Sequence, residues 1–385
     1  MKKKLTMFLS HALVALLATL ITLVLLSGGI TNRYTKLEQL QALIERYYIG
    51  ESDEATMQDA AAHAMVDALG DRWSYYIPQS AYNAYQEQMN NAYVGIGVTI
   101  STRKDGSGLD VIAVTEGSSA QSAGIMVGDI ITAVDGQSIS GMGSEQVRNF
   151  IRGEVGTTVS ISVKRGEEAH AFSVLRQEIQ QKVAGGQMLS ADVGLITIEN
   201  FDSRCAEETI AAIQSVIQQG ANKLIFDVRN NPGGYRDELV KVLDYLLPEG
   251  LVFRSEYYNG KTEEEFSDAK CLDLPMAVLV NGESYSAAEF FAVALKDYDR
   301  AFTVGEQTCG KGYFQTVYEL QDGSAVGLSI GKYYTPKGQS LADIGIKPDI
   351  PVQVDEETAY AIRYNALEPE NDPQIQAALA RLEKE

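Results

Sequence analysis

Strands and helices alternate between residues 180 and 354, and this alternation limits the folds open to the chain more than any other feature. Apolar strand-like runs are separated by segments whose apolar residues have helical spacing, in the order 195–198, 206–219, 224–228, 239–247 and 277–280. Strands joined through helices usually lie parallel in one sheet, with the helices packed outside it. The segment therefore predicts an α/β domain with a mainly parallel sheet.

The preceding segment, residues 91–179, has a different pattern. Strand-like runs occupy 98–100, 109–114 and 130–134, and the last of them leads into the turn pair Asp135-Gly136. Ser144 precedes a helix whose apolar face is formed by Val147, Phe150 and Ile151. These features predict a small, β-rich domain with one amphipathic helix.

The first 30 residues have the pattern of a membrane segment. Three lysines, at positions 2–4, precede an apolar run over residues 5–26, close to the ~20 residues that span a bilayer. Basic residues on this side predict a cytoplasmic N-terminus and export of the rest. A cleaved signal peptide and an uncleaved anchor both fit, but the long run and the absence of an A-x-A site in residues 27–30 favour the anchor. We expect a single-pass protein of the cell membrane with an extracytoplasmic catalytic part.

Two further segments have helical patterns. Residues 31–90 are expected to be helical, with apolar residues such as Leu37, Leu40 and Leu43 at helical spacing. The tail, residues 355–385, is acidic and has an apolar stripe formed by Ile375, Ala378, Leu379 and Leu382. The N-terminal segment is interpreted as a spacer or a dimerisation arm, and the helical ends favour a homodimer.

Composition excludes several classes of function. The chain has 32 basic and 52 acidic residues, a net charge of −20, which argues against nucleic acid as a partner. Its three cysteines show no metal-ligand spacing and are too few for a disulfide framework. Its three histidines, His11, His63 and His170, are not next to a nucleophile-like sequence. We therefore expect hydrolytic chemistry without histidine, metal or organic cofactor.

Residues 278–289 have the pattern of a nucleophile-bearing turn. An apolar strand ends in a short polar turn, and a helix begins at or just after Ser286. A hydroxyl there would face the cleft at the end of the sheet, beside the N–H of Ala287 at the positive end of the helix. The alternative is that Ser284 or Ser286 only caps the helix, which is the commoner role of serine at such a position.

Residues 305–315 offer a partner for that serine. Lys311 lies between two glycines and close to apolar residues. Burial lowers the pKa of a lysine from its usual value of about 10.4, because desolvation disfavours the charged form. A neutral lysine can then accept the proton of a serine hydroxyl. The alternative is a solvated lysine in a glycine-rich loop.

Taken together, these segments resemble the C-terminal processing peptidases, also called tail-specific proteases. That family carries a V-L-x-N-x-x-S-x-S-A-x-E strand-to-helix element and then a T-x-G-K-G-x-x-Q loop, and Lys311 follows Ser286 by 25 residues here. The resemblance implies a peptidase core of the ClpP/crotonase-like type over residues 180–354. It also implies Ser286 as the nucleophile, Lys311 as the general base and Gln315 as the residue that orients the lysine amine.

Residues 227–234 resemble the family's D-x-R-N-N-x-G-G turn, which implies a role in the oxyanion hole. A glycine pair lets a backbone N–H approach a developing oxyanion without interference from a Cβ atom. We expect Gly233 to act with Ala287 as the donors. The sequence does not separate Gly233 from Gly234.

The β-rich domain, residues 91–179, resembles a PDZ domain. Its carboxylate-binding loop corresponds to Val94, Gly95, Ile96 and Gly97, and residues 123–129 match a second PDZ signature. Successive N–H groups in such a loop hold a terminal carboxylate while the peptide adds as an extra strand. The alternative, that this G-x-G is only a turn, is disfavoured by its position within a PDZ pattern.

The combined prediction is a serine endopeptidase that recognises apolar C-terminal tails of protein substrates through a PDZ domain. Tyr285, Ala288 and Cys309 depart from the family's usual residues, and each would alter the pocket without removing a catalytic group. One rival is a PDZ-based binding scaffold with an inactive hydrolase core. A second is an acyl-transfer or acyl-CoA enzyme, which the PDZ domain and the export signal disfavour.

Overall fold

The computed structural model describes residues 16–19, 35–364 and 366–384. The chain divides into two compact units, Met1–Gly70 and Asp71–Glu385. In the first unit, residues 16–19 are helical, and two longer helices follow, α1 (Thr35–Tyr47) and α2 (Glu54–Asp67). The Asp53 carboxylate accepts a hydrogen bond from the N–H of Thr56, which fixes the start of α2.

The membrane anchor expected over residues 1–30 falls, apart from residues 16–19, outside the described residues. Within the described ranges, no helix combines the length and the apolar character needed to cross a bilayer.

The second unit begins with β1 (Tyr75–Ile77) and α3 (Gln79–Met89) and continues into the β-rich domain. The elements of that domain are, in chain order, β2 (Ala92–Gly95), β3 (Val98–Thr102), β4 (Leu109–Val114), α4 (Ser119–Ala123), β5 (Ile130–Val134), β6 (Gln137–Ser138), α5 (Ser144–Ile151), β7 (Thr158–Arg165), β8 (Glu168–Leu175) and β9 (Gln177–Gln180). The strand order β3-β4-β5-β7-β8 leaves β3 at the edge of an antiparallel sheet. A separate ribbon, β2 with β9, brings the two ends of the domain together.

The rest of the second unit forms an α/β domain. Its elements are β10 (Ala184–Met188), β11 (Val193–Ile198), α6 (Cys205–Gln218), β12 (Lys223–Asp227), α7 (Arg236–Leu246), β13 (Gly250–Tyr257), β14 (Thr262–Ser267), β15 (Met276–Val280), α8 (Ala287–Asp297), β16 (Ala301–Gly305), β17 (Tyr313–Glu319), β18 (Ala325–Tyr334), β19 (Ile350–Pro351), α9 (Glu356–Arg363), a 3-10 turn (Pro369–Asn371) and α10 (Pro373–Leu382).

The central sheet has the order β10-β11-β12-β15-β16-β19, and all neighbours after β11 run parallel. The α/β architecture with a mainly parallel sheet is therefore confirmed. Strands β12 and β15 are neighbours, with Asp227 opposite Leu279. Because parallel strands end at the same edge of a sheet, the turns that follow β12 and β15 meet there.

A second sheet was not expected from the sequence. It is antiparallel, with the order β1-β18-β13-β14 and with β17 also paired to β18. Strand β1 lies inside the segment 31–90 that we expected to be helical, and that expectation is wrong at this strand. Its three residues are recognisable only through their long-range pairing, in which Tyr75 is opposite Gly327.

Helices cover both faces of the central sheet. The side chains of Phe201, Phe226 and Phe291 pack together in the larger core cluster. On the other face, Ile375 and its neighbours in α10 pack on the inward residues of β11, β12 and β15. Each fully buried aliphatic side chain of this kind stabilises a fold by about 1.5–3 kcal/mol, so the C-terminal helix is an integral part of the domain.

Candidate active site

Ser286 occupies the residue immediately before α8, where the chain leaves β15 through a short turn. Its φ of 57° and ψ of −123° are unusual for a residue with a side chain. The backbone N–H of Ser286 donates to Glu289 Oε2 at 3.0 Å, which holds this conformation. Ser284 is fully buried, and its hydroxyl donates to the carbonyl of Val228 at 2.7 Å. Ser284 is thus structural, and Ser286 is the serine that lines the cavity.

Lys311 lies in the loop between β16 and β17 and lines the same cavity as Ser286. Its Nζ is 4.9 Å from the ring centroid of Trp73 and 5.7 Å from that of Tyr285. Burial lowers the pKa of Lys311, although nearby charges oppose the shift. Among the described atoms, no hydrogen bond joins Nζ to the Ser286 hydroxyl. The Lys311 amine therefore lies near two aromatic rings, in the same cavity as Ser286.

Glu289 connects the two predicted catalytic residues. Its carboxylate is fully buried, and it accepts hydrogen bonds from the N–H groups of Ser286, Gly310 and Lys311 and from the Thr308 hydroxyl. Burial raises the pKa of Glu289, and these four donors oppose the shift. The sequence analysis assigned no role to Glu289, although serine followed three residues later by glutamate at a helix start is the capping-box pattern.

Gly233 follows β12 and lies against the serine turn. It has a φ of +90°, and a Cβ built on it would lie 2.7 Å from Ser286 Cβ and 2.9 Å from Ala287 N. Only glycine fits this approach. The N–H of Ala287, at the first position of α8, has no acceptor among the described residues, so it is available to an oxyanion.

The Gly233 N–H, the other expected oxyanion donor, already donates a hydrogen bond within the turn. It donates to Asn231 Oδ1 at 2.8 Å, whereas the N–H of Gly234 has no acceptor among the described residues. Both glycines line the cavity beside Ser286. In this arrangement, Gly233 becomes a donor only after Asn231 releases it, and the choice between the two glycines stays open.

Gln315 lies on β17 and lines the same cavity. Its amide Nε2 donates to the hydroxyl of Ser329 at 3.0 Å and, at 3.4 Å, to the carbonyl of Tyr313. No hydrogen bond joins Gln315 to Lys311 among the described residues. The structure places Gln315 in the same cavity as Ser286 and Lys311, and its orienting role stays a prediction.

A buried ion pair anchors the turn that carries Gly233. The Arg229 side chain is 4% exposed and pairs with Asp227 on the sheet. The same guanidinium donates to Asp372 Oδ2 at 2.8 Å and to Gln374 Oε1 at 2.9 Å. The turn that carries Gly233, which is the expected oxyanion turn, is therefore bound to the start of α10 through Arg229.

One cavity of about 1040 Å³ contains Ser286, Ala287, Lys311 and Gln315 together with the Gly233–Gly234 turn. Its wall includes Tyr75, Tyr82 and Tyr85 near β1 and α3, and its volume is sufficient for an extended peptide segment. Throughout the described part of the chain, no group of three or more histidine, cysteine or acidic residues is arranged to hold a metal ion.

A second groove, of about 340 Å³, lies in the β-rich domain between β3 and α5. It is lined by the four residues expected to bind a carboxylate, Val94, Gly95, Ile96 and Gly97. Arg148 and Arg152 also line it, and the sequence analysis did not single them out. Because β4 is the single pairing partner of β3 among the described strands, the outer edge of β3 is open to an added peptide strand.

Two family profiles match the chain. The profile described as peptidase family S41 matches residues 192–352, and the PDZ domain profile matches residues 87–164. The S41 match contains Ser286 and Lys311, and the PDZ match contains the loop that is expected to bind a carboxylate. The assignment of a PDZ domain followed by a peptidase domain is confirmed.

Relatives and solved structures agree with these profiles. A probable CtpA-like serine protease of Staphylococcus saprophyticus is 31% identical over 380 residues, covering 93% of this chain and 76% of the relative. Its counterpart in Staphylococcus aureus strain COL is 33% identical, covering 83% of this chain and 65% of the relative, just under two thirds of its length. A protein from Bacteroides fragilis described as an S41 protease shares the fold, with a TM-score of 0.54, 16% identity and coverage of 88% and 93% of the two chains.

Proposed function

Because this chain belongs to peptidase family S41, among the CtpA-like serine proteases, we propose that it is an endopeptidase that uses a Ser286–Lys311 dyad. The observation that carries the proposal is the shared carboxylate of Glu289, which binds the backbone N–H groups of both residues. A nucleophile and a base on separate segments are thereby held in one cavity.

The proposed reaction begins with neutral Lys311, whose lowered pKa increases the fraction of free amine. Its flexible side chain turns from the aromatic rings to Ser286 and accepts the hydroxyl proton as Oγ attacks the scissile carbonyl. The Ala287 N–H and a donor of the Gly233–Gly234 turn stabilise the oxyanion. The Lys311 ammonium then protonates the leaving amine, and water, deprotonated by the same lysine, hydrolyses the acyl-enzyme.

Substrate capture is assigned to the PDZ groove. An apolar C-terminal tail would add as a strand along β3, with its carboxylate at the loop of Gly95 and Gly97. The arginines that line this groove, Arg148 and Arg152, favour a negatively charged end. The tail would hold the substrate while a more internal segment enters the cavity of Ser286.

Location and assembly complete the proposal. Residues 1–30 would anchor the protein in the cell membrane with its catalytic part outside the cytoplasm, as three lysines before a long apolar run favour. A homodimer is supported by the exposed stripe of Leu37, Leu40 and Leu43 on α1, where each side chain is 44–55% exposed. Fractionation of cells and sedimentation of the exported part test these two statements.

The central test uses a soluble form that begins at Asn32, with casein and a folded protein bearing an apolar tail as substrates. The parent is expected to cleave both, while Ser286→Ala and Lys311→Ala abolish cleavage and the exposed control Lys270→Ala does not. A second form of the tailed protein, in which two aspartates replace the apolar tail, should be cleaved more slowly by the parent enzyme than the original tailed protein. Equal cleavage by every form would contradict the dyad, and tail binding without cleavage would favour the scaffold.

A further inference from the structure

Asp202 is a buried carboxyl group in the wall of the cavity that the proposed mechanism does not use. The residue is 5% exposed, it lines the cavity that contains Ser286, and its Oδ1 is buried without a hydrogen-bond partner. An unpaired buried carboxylate is costly, because desolvation is not repaid by any partner. Burial accordingly raises the pKa of Asp202 to about 7.

Asp202 is attached directly to the oxyanion turn. The N–H of its neighbour Phe201 donates to the carbonyl of Gly233 at 2.7 Å. A Cβ built on Gly234 would lie 2.6 Å from the backbone nitrogen of Asp202, and one built on Gly233 would lie 2.7 Å from Ser286 Cβ. The backbone of Asp202 therefore lies against the same glycine pair that contacts Ser286, and both residues line one cavity.

The ordinary structural role for an aspartate at this position is not fulfilled. Asp202 lies just before α6, where an acidic side chain would commonly cap the helix. The residue before α6 is Arg204, and no side chain caps the helix there. Only the main chain of Asp202 takes part, since its carbonyl accepts from Cys205 and its N–H donates to Asn200 Oδ1.

The basic side chains of the cavity wall interact with groups other than Asp202. Lys241 pairs with Glu238 at 2.8 Å, Arg236 pairs with Asp237 at 3.0 Å, and Lys311 lies over two rings. Among the described residues, no lysine or arginine forms an ion pair with Asp202. The carboxyl group has no cationic partner from the part of the chain that the structure describes.

Aromatic residues share this cavity with Asp202. Tyr82, Tyr85 and Tyr235 line the cavity with Asp202. Burial raises the pKa of the Tyr85 and Tyr235 phenols, and the nearby charge of Asp202 adds to the shift in both. A carboxylate among aromatic faces is the chemistry that binds an ammonium or guanidinium group, through an ion pair and cation–π contacts.

We propose that Asp202 forms a specificity subsite for a basic side chain, lysine or arginine, near the scissile bond of the substrate. This inference rests on the proposed peptidase function of the same cavity. The basic side chain would lie between the tyrosines with its charge on the carboxylate. Cleavage sites with a basic residue at one fixed position would then be preferred, independently of the apolar tail bound by the PDZ domain.

The test is a set of internally quenched peptides that share one sequence and carry Arg, Lys, Gln or Met at each position within four residues of the cleaved bond. In the parent, a basic residue at one position should raise kcat/KM about tenfold or more over Gln and Met. Asp202→Asn should reduce that ratio to about twofold or less while the neutral peptides are still cleaved. The matched control is Asp237→Asn, which removes a carboxylate from the same cavity where it is 73% exposed and paired with Arg236.

Binding measurements keep the inference testable apart from catalysis. On the Ser286→Ala protein, fluorescence anisotropy should show about tenfold tighter binding of the preferred basic peptide than of its Gln form, and Asp202→Asn should remove the difference. No basic preference in either assay, or a preference that survives Asp202→Asn, overturns the subsite. A preference for Gln over Lys at that position also overturns it, because Asp202 would then act as a neutral donor. Failure of all cleavage with an intact binding difference contradicts the peptidase proposal alone.

Discussion

The Glu289 carboxylate receives the backbone N–H of Lys311 at 2.8 Å and that of Ser286 at 3.0 Å, both on the same oxygen, Oε2. Its other oxygen, Oε1, receives the N–H of Gly310 and the hydroxyl of Thr308. The buried carboxylate of Glu289 thus accepts hydrogen bonds from two segments, the turn of Ser286 and the loop of residues 308–311. It thereby fixes the distance between them. The geometry of the proposed dyad therefore depends on a residue that takes no part in the proposed proton transfers.

Glu289→Gln tests this dependence. The amide nitrogen of glutamine is a hydrogen-bond donor. It would replace one carboxylate oxygen and face N–H groups that are also donors, so their hydrogen bonds would be lost. We expect kcat to fall roughly 100-fold, with KM changed much less, because the two reacting groups lose their alignment. Steady-state kinetics on a peptide substrate measure the split between kcat and KM. Glu283→Gln, an exposed change three residues from the nucleophile, is the control, and parent-like kcat in Glu289→Gln would contradict the role.

The pH dependence of activity should depend on the aromatic rings that bury Lys311. Since the neutral amine is the base, activity should rise with pH through the pKa of Lys311, which burial holds below the ordinary 10.5. Trp73→Ala would admit water and relieve the desolvation of the charged form, so the pKa and the midpoint of the activity rise should both move to higher pH. The lost cation–π contact, worth about 0.5–2 kcal/mol, acts in the opposite direction. We expect the upward shift because desolvation is the main cause of the lowered pKa.

The kcat/KM profile of Trp73→Ala, measured against pH beside that of the parent, decides this point. Tyr258→Ala, which removes a side chain that is 83% exposed, serves as the aromatic control and should leave the midpoint in place. A midpoint in Trp73→Ala that is unchanged or moves to lower pH would be incompatible with burial as the cause.

Asp202 also has a predicted effect on stability. Its pKa is about 7 when folded and near 3.8 when exposed, so the folded state binds the proton more tightly. The titration of this group contributes nothing below the lower value, becomes progressively destabilising as pH rises between the two values, and contributes a constant cost above about pH 7. Since a tenfold change in proton affinity is worth about 1.4 kcal/mol, the full cost is at most about 4 kcal/mol.

Asp202→Asn should therefore gain stability over the parent as pH rises. Thermal unfolding of both proteins at about pH 4.5 and about pH 8 compares the two ends of this range. We expect a higher Tm for the variant at the alkaline end and little difference at the acid end. The exposed Asp237→Asn provides the same charge change without burial, and an equal effect in both variants would refute the assignment to Asp202.

Much of this site follows from sequence pattern alone. The strand-to-helix turn at Ser286 and the glycine pair after β12 were located from local signals, because a parallel sheet brings such turns to one edge. The local pattern left both Ser284 and Ser286 open, and the family resemblance implied Ser286. The structure adds the reason, because the Ser284 hydroxyl donates to the carbonyl of Val228, 56 residues away. Likewise, only the structure shows that Asn231 occupies the N–H of Gly233.

The second sheet and the proposed role of Asp202 could not be predicted from the sequence, for a different reason. Strand β1 has three residues and no period of its own, and it exists only because β18 provides partners 250 residues later in the chain. Asp202 follows an apolar residue in a sequence that reads as an ordinary helix start. Burial and lack of a partner are properties of the packed structure, and no local pattern encodes them.

Asp372 gives a prediction about the C-terminal helix. Asp372→Asn would leave Arg229, 4% exposed, with Asp227 as its remaining carboxylate. We expect a loss of roughly 2–4 kcal/mol in the free energy of unfolding, because the guanidinium stays buried with less compensation. Urea denaturation measures it, and the exposed Glu370→Gln is the control. Peptidase activity should fall in parallel, since the Gly233 turn is held by the same arginine.

The Arg229–Asp372 pair also has a consequence for the order in which the protein becomes active. The two residues are separated by 143 positions, so during synthesis the arginine is made long before its second carboxylate. Until α10 has emerged and docked, Arg229 has its pair with Asp227 but lacks its contacts to Asp372 and Gln374. A nascent or prematurely terminated chain would thus possess the serine and the lysine without a finished catalytic centre, and proteolytic competence would arrive with the last part of the domain to be translated.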